Sequence, residues 1–98
     1  MNLKDLQESQ RLFKGDKIKS GFVVLRPGEE VGEHITENCE EFILIIEGEA
    51  EIYCNFPMSR ETVRVKAMEW AQIGKDRAHN VKNIGDDILK YIYIVALH

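Results

Sequence analysis

The sequence predicts an all-β protein built as an antiparallel sandwich or small barrel, and three observations carry that expectation. About eight short runs rich in β-branched and aromatic residues follow one another from Ser20 onward, as strands do. Turn-forming residues separate them roughly every 6–12 positions, the spacing of sandwiches and small barrels. No segment after Lys14 repeats its apolar residues with the period of a helix.

Composition narrows the function classes. A chain of 98 residues supplies one domain and not two. A hydrophobic content of 44% with 31% charged residues suits a soluble globular protein. The formal net charge of −4, with Lys and Arg scattered, argues against a nucleic-acid surface. No apolar run approaches the roughly 20 residues that span a bilayer. The first residues, MNLKDLQESQ, lack the apolar core of a secretory signal. Cys39 and Cys54 do not make a disulfide framework, so a reducing, cytoplasmic setting is expected.

Residues 1–14 are weakly patterned: Leu3, Leu6, Leu12 and Phe13 suit either a short amphipathic arm or an edge strand, before a turn at Gly15-Asp16. SGFVVLR then reads as a strand closed by Pro27-Gly28. VGEHIT is a short half-polar strand that places Gly32, His34 and Thr36 on one face, and ENCE is the loop after it. EFILIIE is apolar on both faces, as in the middle of a packed sheet. Gly48 turns the chain into EAEIYCNF, whose alternation puts Ala50, Ile52, Cys54 and Phe56 on one side. These two strands are expected to form a hairpin about Glu47-Gly48, with Ile43 opposite Ile52 and Glu41 opposite Cys54. Glu41 then faces the apolar interior, where a carboxylate is costly without a charged partner. PMSRE reads as a loop and AMEW as a bend, while TVRVK, WAQIG, AHNVKNI and ILKYIYIVAL read as strands.

The candidate chemistry lies on three of these strands. His34 and His79 each follow a turn and share a face with inward positions, and with Glu41 they bring two imidazoles and a carboxylate together. That donor set suits a divalent first-row metal and leaves coordination positions open. Thr36 could hydrogen-bond a metal-bound water. From the residues alone, the commoner reading is two hydrogen-bonded histidines and a rim carboxylate. Cys54 beside Glu41 could be a soft ligand or a small apolar filler, and Cys39 likewise. Arg77, two residues before His79, could grip a substrate carboxylate or sit in a solvated turn. Phe22 and Trp70 suit the core, although an aromatic at a cavity mouth can stack a ligand. Tyr91 and Tyr93 read as a half-buried strand face or dimer surface, and His98 as a frayed end.

The stretch from Gly28 to Gly48 resembles the first motif of the cupin superfamily. In that motif a Gly is followed after five residues by His-x-His, then a Glu, six residues and a second Gly. Gly28, His34, Glu41 and Gly48 match it. The family's second motif keeps His79 and Asn83, while Met68, Gly74 and Asp76 stand where it has Gly, Pro and Gly. The resemblance implies a single-domain cupin jelly-roll β-barrel (a double-stranded β-helix) over residues 1–98, with its core at about 20–96 and residues 1–14 as an arm or edge strand. It also implies a metal held by three histidines and a glutamate. Here His34, Glu41 and His79 would hold it, and Thr36 stands at the second motif histidine. Thr36, Cys54, Arg77 and Phe22 are then candidates to line the cavity. Zn, Fe, Mn and Ni all fit such donors. Two functions stay open: a metal-dependent enzyme on a small molecule (dioxygenase, isomerase or decarboxylase), or a non-catalytic binding or sensor cupin, including the family's metal-free form. Strands apolar on both faces leave an outer face to cover, so a homodimer packed sheet to sheet is expected.

Overall fold

The alternating stretches form nine strands among the described residues. The computed structural model describes residues 2–56 and 59–97; the loop expected at Pro57-Met58 and the terminal His98 lie outside them. After a 3-10 turn at Leu3–Asp5 come β1 Gln10–Lys14, β2 Ile18–Leu25, β3 His34–Ile35, β4 Cys39–Glu47 and β5 Glu49–Phe56. Then follow β6 Ser59–Lys66, β7 Trp70–Ile73, β8 Ala78–Asn83 and β9 Leu89–Leu97. They make two antiparallel sheets, one of five strands in the order β1-β2-β9-β4-β7 and one of four in the order β3-β8-β5-β6. This is the jelly-roll arrangement, all β, that the resemblance implies. No helix among the described residues is long and apolar enough to cross a membrane.

The core lies between the sheets. Ile43, Ile45, Ile73, Leu89 and Tyr91 come from the larger sheet, and Ala50, Ile52, Val65 and Val81 from the smaller. Strand β4 buries Cys39, Glu41, Ile43 and Ile45 and turns Glu40, Phe42, Leu44 and Ile46 outward, the period of two that a pleated strand imposes.

Three expectations are corrected. Strands β4 and β5 are not a hairpin: β4 pairs with β7 and β9, and β5 with β6 and β8. Gly48 carries the chain from one sheet to the other. Its φ is 93°, and a Cβ there would sit 2.7 Å from the Ile88 carbonyl oxygen, so the crossing requires glycine. Glu41 still faces inward, because its side is set by alternation along β4 and not by its partner strand. Second, Trp70 is 59% exposed and stacks on Phe42 at 5.4 Å. On β7 it is Ala71 and Ile73 that face the core, so Trp70 must face out. Third, Cys39, Glu40 and Ser59–Glu61 belong to strands rather than loops. The N-terminal segment is an edge strand, β1, paired to β2.

Asn83 closes the end of the sandwich. It is 1% exposed, and its amide nitrogen donates to the carbonyls of Leu25 and Asp87 while its oxygen accepts from the Gly85 N–H. One side chain ties the end of β2 to the β8–β9 loop, with both its N–H donors and its oxygen engaged in protein contacts. Asn83→Ala would leave these groups without partners, at about 1–3 kcal/mol for each that water cannot reach. Urea unfolding is expected to show a loss of about 2–3 kcal/mol; a change within experimental error would mean that Asn83 does not hold this end together.

Candidate metal centre

His34 and His79 face each other because β3 pairs with β8 in the register His34↔His79 and Ile35↔Ala78. Their ring centroids are 4.2 Å apart with planes tilted by 59°. Each ring is held by its own strand. Nδ1 of His34 lies 2.9 Å from the Gly32 carbonyl oxygen, and Nδ1 of His79 lies 2.9 Å from that of Arg77. A carbonyl only accepts, so both Nδ1 atoms carry the proton and donate it, which leaves Nε2 as the position that is free to accept in a neutral ring. Asn80, 3% exposed, accepts from the Gly32 N–H at 2.8 Å and so steadies the carbonyl that orients His34.

Glu41 comes from the opposite sheet. Its Oε2 lies 3.4 Å from His79 Nε2, and the two side chains are 10% and 1% exposed. In the neutral tautomer these are two acceptors facing one another, and the buried Nε2 has no hydrogen-bond donor. A cation between them, a proton or a metal ion, is what such a pair requires. Burial works against charge on His79, but the Glu41 carboxylate and the Arg77 carbonyl outweigh it, and the imidazole is held above its usual range. The donor atoms of His34, Glu41 and His79 lie within 4.8 Å of one another. Donors bound at about 2.0–2.2 Å to one ion stand up to roughly 4 Å apart. The three therefore fit a divalent ion after a small closure.

The centre opens into a cavity of about 290 Å³ lined by residues that include His34, Thr36, Glu41, Tyr91 and Tyr93. Thr36 thus shares the cavity with His34 and Glu41. Cys54 and Arg77 instead line a separate space of about 170 Å³. Burial pushes the Cys54 thiol up against the opposing charge of Arg77, with Glu61 and Glu41 adding to the rise, which keeps it a neutral thiol. Phe22 is buried, on the face of β2 opposite the cavity-lining Val23.

Sequence reasoning missed the inward role of the tyrosines. Tyr91 is 3% exposed, and burial, then the charge of Glu41, then Tyr93 hold its phenol well above the ordinary range, so it remains a donor. Tyr93 lies across β2: a Cβ on its strand partner Gly21 would sit 2.4 Å from the Tyr93 hydroxyl. The signal was present as a glycine inside an otherwise β-branched strand, which marks a close approach of another group.

A sequence model of the cupin domain matches residues 21–95, and the chain belongs to the cupin family. The cupin domain of Schizosaccharomyces pombe Cnp3 superposes with a TM-score of 0.86 at 21% identity, over 99% of this chain and 72% of that one. Bacillus subtilis oxalate decarboxylase, which has Mn(II) centres, matches with a TM-score of 0.76 at 26% identity, over 80% of this chain and 21% of its own. Polyketide synthase CurC of Streptomyces cyaneus is 30% identical over 73 residues, 74% of this chain; the match spans 45% of that protein's length.

Two outcomes follow from this geometry. Gly21→Ala is expected to destabilise the protein by about 1–3 kcal/mol, the cost of forcing a packed side chain aside. In a Tyr93→Ala background the same substitution should cost nothing, and equal costs in both backgrounds would contradict the contact. The second concerns pH in metal-free protein. The folded-state pKa of His79 is raised, so its contribution is fully present below the unfolded value of about 6.5 and is lost as pH rises through the folded one. The melting-temperature gap between wild type and His79→Gln should therefore shrink from pH 5.5 to pH 8.5, and a gap that widens would refute the pairing with Glu41.

Proposed function

We propose that this protein is a metal-dependent cupin that binds a small molecule against a divalent ion held by His34, Glu41 and His79. The observation that carries the reading is the 3.4 Å approach of His79 Nε2 and Glu41 Oε2, two buried acceptors that need a cation between them. When bound, the ion would supply Lewis acidity at a ligand oxygen, the chemistry on which dioxygenase, isomerase and decarboxylase reactions draw. The chain's own residues do the rest. His34 and His79 hold fixed tautomers, Glu41 offsets the ion's charge, and Tyr91 offers a neutral hydroxyl donor inside the cavity. Zn, Fe, Mn and Ni are all compatible with two imidazoles and a carboxylate. The likeness to an oxalate decarboxylase with Mn(II) centres supports the metal. Thr36, where the motif has a histidine, favours a second reading in which the protein binds its ligand without catalysis.

The reading includes a homodimer formed through the outer face of the five-stranded sheet. Phe42, Leu44, Ile46, Ile92 and Ile94 leave that face half-buried and apolar, and Trp70 stands exposed at its edge. A second copy would cover it symmetrically. It also includes a cytoplasmic setting, in keeping with two free cysteines.

Metal binding to the folded state stabilises it by about 2.7 kcal/mol at a hundredfold excess over Kd. Melting curves with and without Zn²⁺ or Mn²⁺ should separate for wild type, separate further for Thr36→His, and coincide for His79→Ala and Glu41→Ala. No shift in wild type and none created by Thr36→His would leave the metal-free reading. For assembly, light scattering should give twice the chain mass, and Phe42→Asp should give the monomer. A monomeric wild type would overturn the dimer.

A further inference from the structure

The end of the cavity away from Glu41 is basic. Arg11 on β1 and Lys19 on β2 line it, and both lie before residues 21–95, the part that matches the family. Their positions follow from register. Lys19 pairs with Val95, which pairs with Glu41, so the three form one cross-strand row on the inward face. Arg11 pairs with Gly21, which pairs with Tyr93, in the adjoining row. Strands are about 4.8 Å apart, which sets Lys19 about 10 Å from Glu41 between Cα atoms. That span suits one small molecule reaching from one to the other.

The charges at this end are uncompensated. Lys14 faces Lys19 directly across the β1–β2 pair, and like charges so placed oppose the pairing. Among the described residues neither Arg11 nor Lys19 is in an ion pair, and Glu41 is turned to His79 instead. The absence of a side chain on Gly21 lets the Tyr93 phenol lie over β2, carrying its hydroxyl toward the strand that bears Arg11. Two cations and a phenol thus surround one end of a cavity whose other end holds the histidines and Glu41.

We propose that the ligand of this cavity is a small organic carboxylate, its anionic group paired with Lys19 and Arg11 and hydrogen-bonded by Tyr93, its other end directed at His34, Glu41 and His79. Only the second half rests on the metal reading. A carboxylate is favoured over a neutral molecule because it relieves the Lys14–Lys19 repulsion, and its planar pair of oxygens suits the guanidinium of Arg11.

Isothermal titration of pyruvate and benzoate, each against its uncharged amide, tests this on Zn²⁺-treated and on metal-free protein. Arg11 is exposed and Lys19 half-buried, so at least one acid should bind about tenfold tighter than its amide, about 1.4 kcal/mol. Lys19→Met and Arg11→Met should each remove most of that preference, while Lys19→Arg retains it. Melting curves with Zn²⁺ should be unaltered by Lys19→Met, which separates loss of the anion site from loss of the metal site or of folding. Acids that bind no better than their amides, or a preference that survives Lys19→Met and Arg11→Met, would overturn the proposal. If Zn²⁺ gives no shift in wild type but the Lys19-dependent preference persists, the metal reading fails and the carboxylate end stands.

Discussion

The structure turns on the buried Nε2 of His79 and the carboxylate of Glu41, which lie 3.4 Å apart and are two acceptors face to face when the imidazole is neutral. Placing them so is unfavourable without a cation. Several features nevertheless combine to enforce it. The Arg77 carbonyl accepts a hydrogen bond from the Nδ1–H of His79, and the β3–β8 register brings His34 alongside. Asn80 steadies Gly32, which orients His34, and alternation along β4 turns Glu41 inward from the other sheet. Concentrated local cost of this kind is expected of a binding site rather than of a fold optimised for stability alone.

Much of this was legible in the chain. The inward place of Glu41 was legible, but it was read from a β4–β5 register that the structure replaces; the burial that alternates along β4 is what sets it. His79 was placed inward and is buried, whereas His34 lines the cavity and remains exposed. What alternation does not contain is the partner of each strand. The run around Gly48 has the pattern of a hairpin, yet the glycine's positive φ and its contact with the Ile88 carbonyl send β5 into the opposite sheet. Trp70 was misread because size and hydrophobicity suggested the core, while its place on β7 gave the inward positions to Ala71 and Ile73.

Charge shows the same division between what is local and what is assembled. A net charge of −4 with scattered basic residues gives no hint of a cationic site. Folding β1 against β2 gathers Arg11, Lys14 and Lys19, because a β-bulge between Arg11 and Phe13 restores Lys14 to the face of Lys19. Tyr93 joins them only because Gly21 leaves room. The cavity therefore has two unlike ends: histidines and a glutamate common to the cupin motif, and a basic end supplied by a segment before the family match.

The central claim is that His34, Glu41 and His79 are the ligands of one divalent ion. Anomalous diffraction from crystals grown with Zn²⁺ or Mn²⁺, recorded at the absorption edge of the metal used, tests it most directly. A single peak about 2.0–2.2 Å from Nε2 of both histidines and from a Glu41 oxygen is the predicted result. A map with no peak between these side chains, or with metal bound only at surface carboxylates, would contradict it.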